Sequence, residues 1–599
     1  MRTSRAARRA LVAKTLHCLP SLSAFSFVPL VALLHCGGPV GAPPVAPAPI
    51  ASTPPTPPPA PAEHVTLDVF VDGIPAGHEA WDITKNGDGT TDIAFEAILE
   101  EKGTKLSGTG ALSLSPELLT RSAHIALDTP DGAVKGELSA SSGSMSLKLI
   151  RGDESREVRA EQPSNLFLPQ PFFAGFARIC PLFDKSTPSL VEFPGSPLTL
   201  DGHKQLPAPD AGVTLYTVER GPLGKTIVAC ENGELIVALD LWSGQSVART
   251  GRRPVLDAVI HTTLRQKPKT PDDVVEDDVV VTVPPSQKDG EAKLACSFMK
   301  PVPLPTKGGK ASAKLPAVVF FSGSGPQDRD EDTTGPGGVK LSLFKTLAIT
   351  LAEKGIASLR CDDRGTATST GIFEQATLST FVRDAEEMVR AVRLRPDVDP
   401  ARIGLVGHSE GALVAPVVVH WEPRVKAVLL MAAPGRPIPE IAVMQQERLL
   451  TQAGLPKDQI QRQLEAQNEV LRAIKKGDPL PATVPPSERA RIESQRAWLK
   501  SHFDHDPQQA LREMPATSVL IVHGAKDVQV PSDDAELVQK GLAKGKNAKA
   551  KVLVYPTLNH VFAEGHGGGL SEYSDPSTDI DPGFLRDVAT FLAQALSAK

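Results

Sequence analysis

A serine framed by glycines, at Gly407–Gly411, constrains the fold of this chain more than any other stretch. The residues before it, Ile403–Val406, are wholly apolar, as in a buried strand, and Ala412–Val419 after it are typical of the start of a helix. A serine at such a strand-to-helix turn needs small residues two positions before and after it, because the backbone bends sharply there. Free N–H groups at the start of the helix favour an oxyanion. The pattern predicts an α/β sheet with Ser409 as candidate nucleophile, although Gly-x-Ser-x-Gly also arises by chance in a chain with 48 glycines.

Short apolar runs alternate with helical segments from about Asp277 to Lys599. Such runs are typical of strands in a parallel sheet that is covered on both faces. They are Ala317–Phe321, Ile356–Arg360, Ile403–Val406, Lys426–Met431, Ser518–Val522 and Lys551–Tyr555, after an opening antiparallel pair at Val279–Val283 and Lys293–Met299. We therefore predict an α/β fold with a doubly wound sheet over 277–599, in which Ser409 lies at the carboxyl end of a central strand, where such sheets bind ligands.

Residues 437–515 interrupt this pattern between two predicted strands and are expected to form a helical cap. One apolar stripe with helical spacing runs along it, consisting of Ile460, Leu464, Leu471 and Ile474. A stripe of this kind packs a helix against its neighbours, or forms an apolar wall for an acyl or alcohol group. Both interpretations stay open for different residues of the stripe.

Two more candidate site residues follow later strands. Asp527 lies on the loop after Ser518–Val522, and His560 lies on the loop after Lys551–Tyr555. In sheets that present a serine at a strand-to-helix turn, the partners follow in the order serine, acid, histidine. We therefore predict a triad in which Ser409 attacks, His560 takes its proton and Asp527 orients the imidazole.

The predicted reaction also needs two backbone N–H donors for an oxyanion. The first is expected from Glu410, the residue after the nucleophile. The second is expected from the loop 322–330, whose glycines let the backbone approach a substrate, and we predict the N–H of Ser324. The turn Asp362–Gly365 is interpreted as a structural turn that holds an internal salt bridge. Two other histidines at strand ends are interpreted as packing residues: His408 and His523.

Several motifs together resemble one known family. They are Gly323–Asp330, Asp363–Gly365, Gly407–Gly411, Asp527–Val530 and Asn559–His560. On these motifs the segment 277–599 is similar to the bacterial EstD-like carboxylesterases of the α/β-hydrolase superfamily. The resemblance implies a serine carboxylesterase that needs no cofactor and whose triad is Ser409, Asp527 and His560. In that family the oxyanion loop usually opens with histidine, where this chain has Ser322.

The chain begins with features of an export segment, predicted for residues 1–36. A basic stretch precedes an apolar stretch, Leu19–Leu34, which two prolines interrupt. This arrangement is typical of a signal peptide and not of a membrane-spanning helix. Leu33–Cys36 resembles a bacterial lipoprotein box, which would make Cys36 a lipid anchor, whereas His35 stands where a small residue is expected.

Residues 37–62 are rich in proline and alanine and are expected to form an extended spacer, because they cannot build a core. Residues 63–263 alternate apolar and polar side chains, with hairpin signals at Asn86–Gly89 and Asn232–Gly233. We predict a separate, mostly-β accessory domain there, of open role. Because every predicted site residue lies beyond it, we expect a chain that begins near Thr270 to fold and keep its site.

Composition narrows the function classes. The formal net charge is −6 with both signs mixed along the chain, so no nucleic-acid footprint is indicated. The sequence also shows no Cys/His spacing typical of a metal site, and we predict neither metal nor cofactor. In an exported protein Cys180 and Cys230 could form a disulfide within the β region, and four buried free thiols are the alternative.

We therefore predict an exported, two-domain serine hydrolase that cleaves small-molecule carboxylic esters with small or medium acyl groups through an acyl-enzyme. A serine exopeptidase of the same fold is the alternative enzyme. A surface-binding lipoprotein with an inactive hydrolase domain is the alternative from another class, and the intact Ser/Asp/His set counts against it. The sequence indicates neither the natural substrate nor the oligomeric state.

Overall fold

The computed structural model describes residues 62–597, apart from short gaps of which the longest are 166–172, 184–189, 303–313 and 566–571. The predicted export segment, which includes Cys36, lies outside the described residues. Nearly all of the Pro/Ala-rich spacer lies outside them as well. Within the part of the chain that is described, no helix is both long and apolar enough to cross a membrane.

The first part of the chain forms an antiparallel sheet of fourteen strands. The strands are β1 (Glu63–Val71), β2 (Ile74–Lys85), β3 (Thr91–Glu101), β4 (Thr104–Leu114), β5 (Thr120–Thr129), β6 (Gly132–Ser141), β7 (Ser144–Arg151), β8 (Glu154–Ala160), β9 (Leu190–Glu192), β10 (Ser196–Gln205), β11 (Thr214–Glu219), β12 (Lys225–Glu231), β13 (Glu234–Asp240) and β14 (Gln245–Arg249). Their order in the sheet is β8-β7-β6-β5-β4-β3-β2-β1-β14-β13-β12-β11-β10-β9. The region predicted to be mostly β is therefore one continuous sheet, built almost entirely from hairpins.

Alternating side chains give this sheet its two packed faces. Leu67 of β1 and Trp81 of β2 lie in one core, and Phe70 of β1 lies in the other. Two helices accompany the strands, α1 (Cys180–Phe183) and α2 (Arg253–Thr263). Leu256 of α2 packs in the same core as Phe70, so this helix covers one face of the sheet.

The remaining chain forms an eight-stranded sheet flanked by helices. Its strands are β15 (Val274–Val283), β16 (Ala292–Pro301), β17 (Leu315–Phe321), β18 (Ala357–Cys361), β19 (Val398–His408), β20 (Ala427–Met431), β21 (Ser518–Gly524) and β22 (Lys551–Tyr555). Its helices are α3 (Leu343–Glu353), α4 (Leu378–Arg393), α5 (Gly411–Trp421), α6 (Ile438–Gln452), α7 (Lys457–Lys476), α8 (Pro486–Ser494), α9 (Arg496–Asp504), α10 (Pro507–Glu513), α11 (Asp534–Lys544) and α12 (Pro582–Ala595). The strand order is β15-β16-β18-β17-β19-β20-β21-β22, with β15/β16 and β16/β18 antiparallel and the other pairs parallel. This is the α/β sheet that the apolar runs predict, with its opening antiparallel pair.

Strand β17 shows why these strands are apolar throughout. Val319 and Phe321 pack in the core that contains residues of α4 and α5, whereas Val318 and Phe320 pack in the core that contains residues of α3 and α12. Both faces are covered, so polar side chains are excluded from the strand. The carboxyl ends of β17, β19, β21 and β22 lie along one edge of the sheet, and the residues that follow them carry the predicted site.

Two disulfides are present among the described residues. Cys180 of α1 is linked to Cys230 of β12, which is the bridge that the sequence left as one of two alternatives. Cys296 of β16 is linked to Cys361 of β18. The second bridge was not expected, because only the pairing of these two strands brings the cysteines opposite each other.

Helices α6 to α10 lie between β20 and β21, where the sequence predicts a helical cap. Ile460 and Leu464 of α7 pack on Leu450 of α6, which supports the packing interpretation for this part of the apolar stripe. The same helix also buries three glutamines: Gln459, Gln463 and Gln467. The buried face of α7 is therefore mixed in polarity and not the uniform apolar stripe that the spacing predicts.

Ion pairs join the first sheet and the segment after it to the second part of the chain. Lys225 of β12 lies 2.9 Å from Asp575. Arg265, which follows α2, pairs with Asp579 and donates to the carbonyl of Thr578. Both acidic residues belong to the long connection between β22 and α12, so the β region contacts the connection that also carries the predicted general base.

Candidate active site

Ser409 lies in the predicted turn between β19 and α5. Its φ is 52°, in the left-handed region that residues other than glycine rarely adopt, and its N–H donates to the carbonyl of Met431 on β20 at 2.9 Å. Its side chain is half-buried, whereas the neighbouring His408 and Glu410 are buried. A strained serine at the end of a central strand is the geometry of a nucleophile elbow.

Two glycines of the pentapeptide are required by close backbone contacts. A Cβ at Gly407 would lie 2.3 Å from the carbonyl oxygen of Gly411, and a Cβ at Gly411 would lie 2.1 Å from that of Phe321. No side chain fits at either distance. The two glycines of the Gly-x-Ser-x-Gly pattern are therefore required by the close packing of β19, the turn and α5 against β17.

His560 and Asp527 meet because they follow the neighbouring strands β22 and β21. Nδ1 of His560 lies 2.7 Å from Oδ2 of Asp527, and both side chains are buried. Oδ1 of the same carboxylate accepts the N–H groups of Gln529 and Val530, which fixes its orientation. Among the described residues no hydrogen bond is made by Nε2 of His560, and its contact with Ser409 stays a prediction.

Burial and neighbouring charges set the protonation states of this pair. Burial alone would raise the pKa of Asp527, but the facing imidazoles of His560 and His523 hold it well below its ordinary value. Burial lowers the pKa of His560 below its ordinary value, and the Asp527 carboxylate offsets this only in part. At neutral pH Asp527 is therefore ionised and His560 is neutral, as a general base and its orienting acid require.

His523, interpreted from the sequence as a packing residue, belongs to the same network. Its Nε2 lies 3.3 Å from Oδ2 of Asp527 and 3.1 Å from the carbonyl oxygen of Val530. Burial would lower the pKa of His523, but the Asp527 carboxylate raises it above its ordinary value. The ring therefore gives the buried carboxylate a second donor.

The predicted oxyanion loop follows β17. The N–H of Gly323 donates to Oε1 of Glu331 at 2.9 Å and is therefore not available to a substrate. Within the described part of the chain, the N–H groups of Ser324 and Glu410 have no hydrogen-bond partner. They are the two donors that the sequence predicts, and whether they bind an oxyanion stays a prediction.

Ser322 anchors the start of this loop. Its hydroxyl donates to Oδ1 of Asp363 at 2.6 Å, and Oδ2 of the same carboxyl accepts the N–H of Gln327 at 2.9 Å. Burial raises the pKa of Asp363 well above its ordinary value. The serine that stands where the resembling family usually has histidine thus ties the loop to the end of β18.

The turn Asp362–Gly365 holds salt bridges, as expected, but their partners lie outside the turn. Asp362 binds Arg329 of the oxyanion loop at 3.0 Å. Arg364 binds Asp384 of α4 at 2.8 Å, and both side chains are buried. The turn therefore connects the oxyanion loop to a helix behind the sheet.

Two further residues, Glu331 and His408, join the site although the sequence did not assign them to it. Nδ1 of His408 lies 2.7 Å from Oε1 of Glu331, and its Nε2 lies 3.0 Å from the carbonyl oxygen of His560. Both side chains are buried. His408 lies in the Gly407–Gly411 motif, and Glu331 directly follows the Gly323–Asp330 motif. The two residues are 77 positions apart, so no local pattern of the sequence predicts that they pair.

The cap contacts the site on two sides. Nε2 of His502 on α9 lies 2.9 Å from Oε1 of Glu410, and both side chains are buried. Nη1 of Arg448 on α6 donates to the carbonyl of Asp527 at 2.9 Å. The cap is therefore attached both to the residue after Ser409 and to the loop of the acid.

A cavity of about 50 Å³ lies beside the oxyanion loop. It is lined by Ser322, Gly323 and Glu410, by apolar residues that include Phe381 and Met388, and by charged residues that include Asp363 and Arg364. A space of this size with a mixed polar and apolar lining suits a small organic group.

In the described ranges there is no group of three or more His, Cys, Asp or Glu side chains arranged to hold a metal ion. The clustered acids and histidines of the site instead bind one another in pairs, as Asp527 does with His560.

Comparisons with known proteins show which families the C-terminal region resembles. Residues 338–564 match the family described as Serine aminopeptidase, S33, and this segment includes Ser409, Asp527 and His560. The chain is 30% identical over 285 residues to esterase EstD of Thermotoga maritima, a match that covers 48% of this chain and 64% of the esterase. The chain therefore spans less than two thirds of the length of that relative.

Solved structures are similar at lower identity. Esterase Pf2001 of Pyrococcus furiosus is 13% identical, with 56% of this chain and 98% of that chain covered and a TM-score of 0.35. Est1E of Butyrivibrio proteoclasticus, solved with ferulic acid bound, is 21% identical, with 50% and 96% covered and a TM-score of 0.29. The family match and the identity to EstD confirm the resemblance that the motifs predict: the C-terminal region is similar to the serine aminopeptidase family and to esterase EstD.

Proposed function

We propose that this protein is a serine carboxylesterase in which Ser409, His560 and Asp527 form the catalytic triad. The observation that carries the proposal is the 2.7 Å contact between Asp527 and His560, in a chain whose Ser409 occupies a strained elbow on the same sheet edge. The 30% identity to an esterase supports ester substrates.

In the first half of the proposed reaction, Nε2 of His560 takes the proton of Ser409 as its oxygen attacks the ester carbonyl. Asp527 stabilises the imidazolium that forms. The N–H groups of Glu410 and Ser324 bind the oxyanion of the tetrahedral intermediate. His560 then gives the proton to the leaving alcohol, and the acyl group stays on Ser409.

Water completes the cycle. His560 removes a proton from water, which attacks the acyl-enzyme and passes through a second oxyanion held by the same two donors. The proton returns to Ser409 as the carboxylic acid leaves. Each half of the reaction begins with the neutral imidazole, which the lowered pKa of His560 supports.

We propose small or medium acyl groups as the preferred ones. The cavity of about 50 Å³ beside Ser322 and Glu410 supports this choice, because it is small and apolar side chains such as Phe381 and Met388 form part of its lining. A peptide backbone would need hydrogen-bond partners for its N–H and C=O groups in such a place.

An exopeptidase is the second candidate, because the matching family is described as a serine aminopeptidase. The two functions differ in the ratio of kcat/KM for p-nitrophenyl butyrate to that for an aminoacyl p-nitroanilide. We expect a ratio far above one. Since activated esters are intrinsically easier to cleave, a ratio near one would mean a site built for amides and would replace the esterase proposal.

The decisive test is labelling with a fluorophosphonate followed by mapping of the modified residue. We expect one label per chain, on Ser409, with loss of ester hydrolysis in proportion to labelling. An unlabelled, well-folded chain would instead favour the surface-binding protein with an inactive hydrolase domain.

We also propose that the protein is exported and anchored by a lipid at Cys36. Two disulfides in the folded part are typical of exported proteins and support this. Expression in a bacterium fed a clickable fatty acid tests it, with Cys36→Ser as the variant and Cys18→Ser as the matched control. We expect the label on the wild type and on Cys18→Ser alone, and equal labelling of all three chains would contradict the anchor.

A further inference from the structure

A buried path of hydrogen bonds links the oxyanion loop to the predicted general base. Oε1 of Glu331 accepts the N–H of Gly323 at 2.9 Å and faces Nδ1 of His408 at 2.7 Å. The other ring nitrogen of His408 lies 3.0 Å from the carbonyl oxygen of His560. Glu331 and His408 are each 3% exposed, so water does not compete for these contacts.

The partners of His408 determine its charge. A carbonyl oxygen can only accept, so Nε2 must donate to His560. An oxygen of the ionised Glu331 carboxylate can likewise only accept, so Nδ1 donates as well. An imidazole that donates from both nitrogens is an imidazolium, and the carboxylate of Glu331 is its counter-ion.

The surrounding charges agree with this assignment. Burial alone would lower the pKa of His408, but the carboxylate of Glu331 raises it above the ordinary value, and Asp527 acts in the same direction. The other titratable group beside it is His560, whose ring centroid lies 4.7 Å away. His408 is therefore charged, whereas the neighbouring His560 is neutral.

The backbone of Glu331 shows that the contact is maintained at some cost. Its φ is 67°, which is unfavourable for a residue with a long side chain. Residues keep such a conformation when the surrounding structure requires it, commonly at functional sites. Here the conformation accompanies a carboxylate that reaches both the loop backbone and His408.

We propose that Glu331 and His408 form a buried ion pair that positions the oxyanion loop relative to the general base. Neither residue touches the reacting atoms in this account, so both are positioning residues. Glu331 holds the loop through Gly323, and His408 holds the backbone of His560. The effect on rate rests on the proposed esterase function, whereas the ion pair itself does not.

The first test is the kinetics of Glu331→Gln in the full-length chain. The amide keeps the shape of the side chain and an oxygen for Gly323, but it removes the charge that keeps His408 doubly protonated. We expect kcat to fall about 10- to 100-fold with little change in KM, because small misplacements of catalytic groups have effects of this size.

Glu192→Gln is the matched control. Glu192 is also a buried carboxylate, paired with Arg220 at 2.7 Å, but it lies in the antiparallel sheet. We expect this variant to keep kcat within about twofold of the wild type at any temperature where it is folded. If Glu331→Gln loses no more activity than Glu192→Gln does, the positioning role is overturned.

The second test needs neither activity nor a stable variant. In the wild type labelled with ¹⁵N-histidine, we expect both ring nitrogens of His408 to be protonated at pH 7.5. A neutral tautomer there would overturn the ion pair. If the wild type cleaves no ester yet shows this imidazolium, the proposed esterase function fails while the ion pair stands.

Discussion

Glu79 in the antiparallel sheet and Asp527 beside the mixed sheet are buried to nearly the same degree, 1% and 3% exposed. Glu79 accepts hydrogen bonds from two neutral donors, the indole of Trp81 and the N–H of Phe173, and burial raises its pKa to about 7. Asp527 faces two imidazoles, and its pKa is lowered instead. Similar burial thus has opposite consequences, because Glu79 faces only neutral donors, whereas Asp527 faces two imidazole rings that stabilise its ionised form.

The connections of the two sheets explain why such partners gather in one region. Hairpins place successive turns at opposite ends of an antiparallel sheet. Parallel strands joined by crossovers bring every carboxyl end to the same edge. The residues after β17, β19, β21 and β22 therefore meet, and they bring acids and histidines from distant parts of the chain within hydrogen-bond distance.

The two regions are nevertheless connected. Lys267, in the segment between α2 and β15, binds Asp328 and Asp330 of the oxyanion loop at 2.6 and 2.7 Å. Lys225 and Arg265 bind the connection that carries His560. Lys267 and these two residues all precede Thr270. We therefore expect a chain that begins at Thr270 to be impaired, in contrast to the expectation from the sequence.

The largest expected effect concerns the mixed sheet alone. Ser409→Ala should lower kcat for p-nitrophenyl butyrate by at least about 10³-fold, because the nucleophile is removed while the backbone elbow stays. Ser146→Ala, on β7 of the antiparallel sheet, is the control and should keep wild-type kcat. Hydrolysis at a near-wild-type rate by the Ser409 variant would end the triad assignment.

The next largest effect concerns Glu79 of the antiparallel sheet and is a pH dependence of the free energy of unfolding. The unfolded chain releases the proton of Glu79 near its ordinary pKa of 4.5, whereas the folded chain holds it up to about 7. Between these values the folded state binds more protons, so stability falls as pH rises, by about 3 kcal/mol in total. Chemical unfolding followed from pH 4.5 to 7.5 measures this slope.

Two variants separate Glu79 from other titrating groups. Glu79→Gln should lack this part of the slope, because its side chain does not titrate. Glu96→Gln, at an exposed position of β3, should keep it. An identical slope in Glu79→Gln and in the wild type would show that the comparison with Asp527 is mistaken.

A smaller effect tests the connection between the regions. Lys267→Gln should lower kcat/KM about five- to tenfold, since two carboxylates of the oxyanion loop and Asp332 just after it lose a cation that is itself about half exposed. Lys269→Gln is the matched control, because Lys269 is exposed and has no ion pair among the described residues. Equal activities of the two variants would argue that the loop holds its shape without the β region.

The smallest expected effect is a displacement of the pH profile. Because the pKa of His560 is lowered by burial, the neutral base is present at lower pH than for an ordinary histidine. The kcat/KM for an ester should therefore rise with pH and reach half its plateau below about 6.5. A midpoint above 7 would mean that the Asp527 carboxylate outweighs burial at this site.

Several features of the fold could be predicted from local sequence. The apolar runs located all eight strands of the mixed sheet, and the glycines around Ser409 located the elbow. Asp527 and His560 were identifiable because each follows a strand in the expected order. The cap was predicted as helical, but the spacing of its apolar residues does not show that α7 also buries glutamines.

Local patterns by themselves determined the candidate triad and the two kinds of sheet, because strand and helix periodicities and the small residues of a tight turn are properties of neighbouring positions. Only the tertiary structure decided which distant residues pair: Glu331 with His408, Cys296 with Cys361, and Lys267 with the oxyanion loop. These contacts depend on a strand order, β16-β18-β17-β19, that departs from the order along the chain. Charge and hydrogen-bond partners at the site follow from that order, and the sequence of any one segment does not contain it.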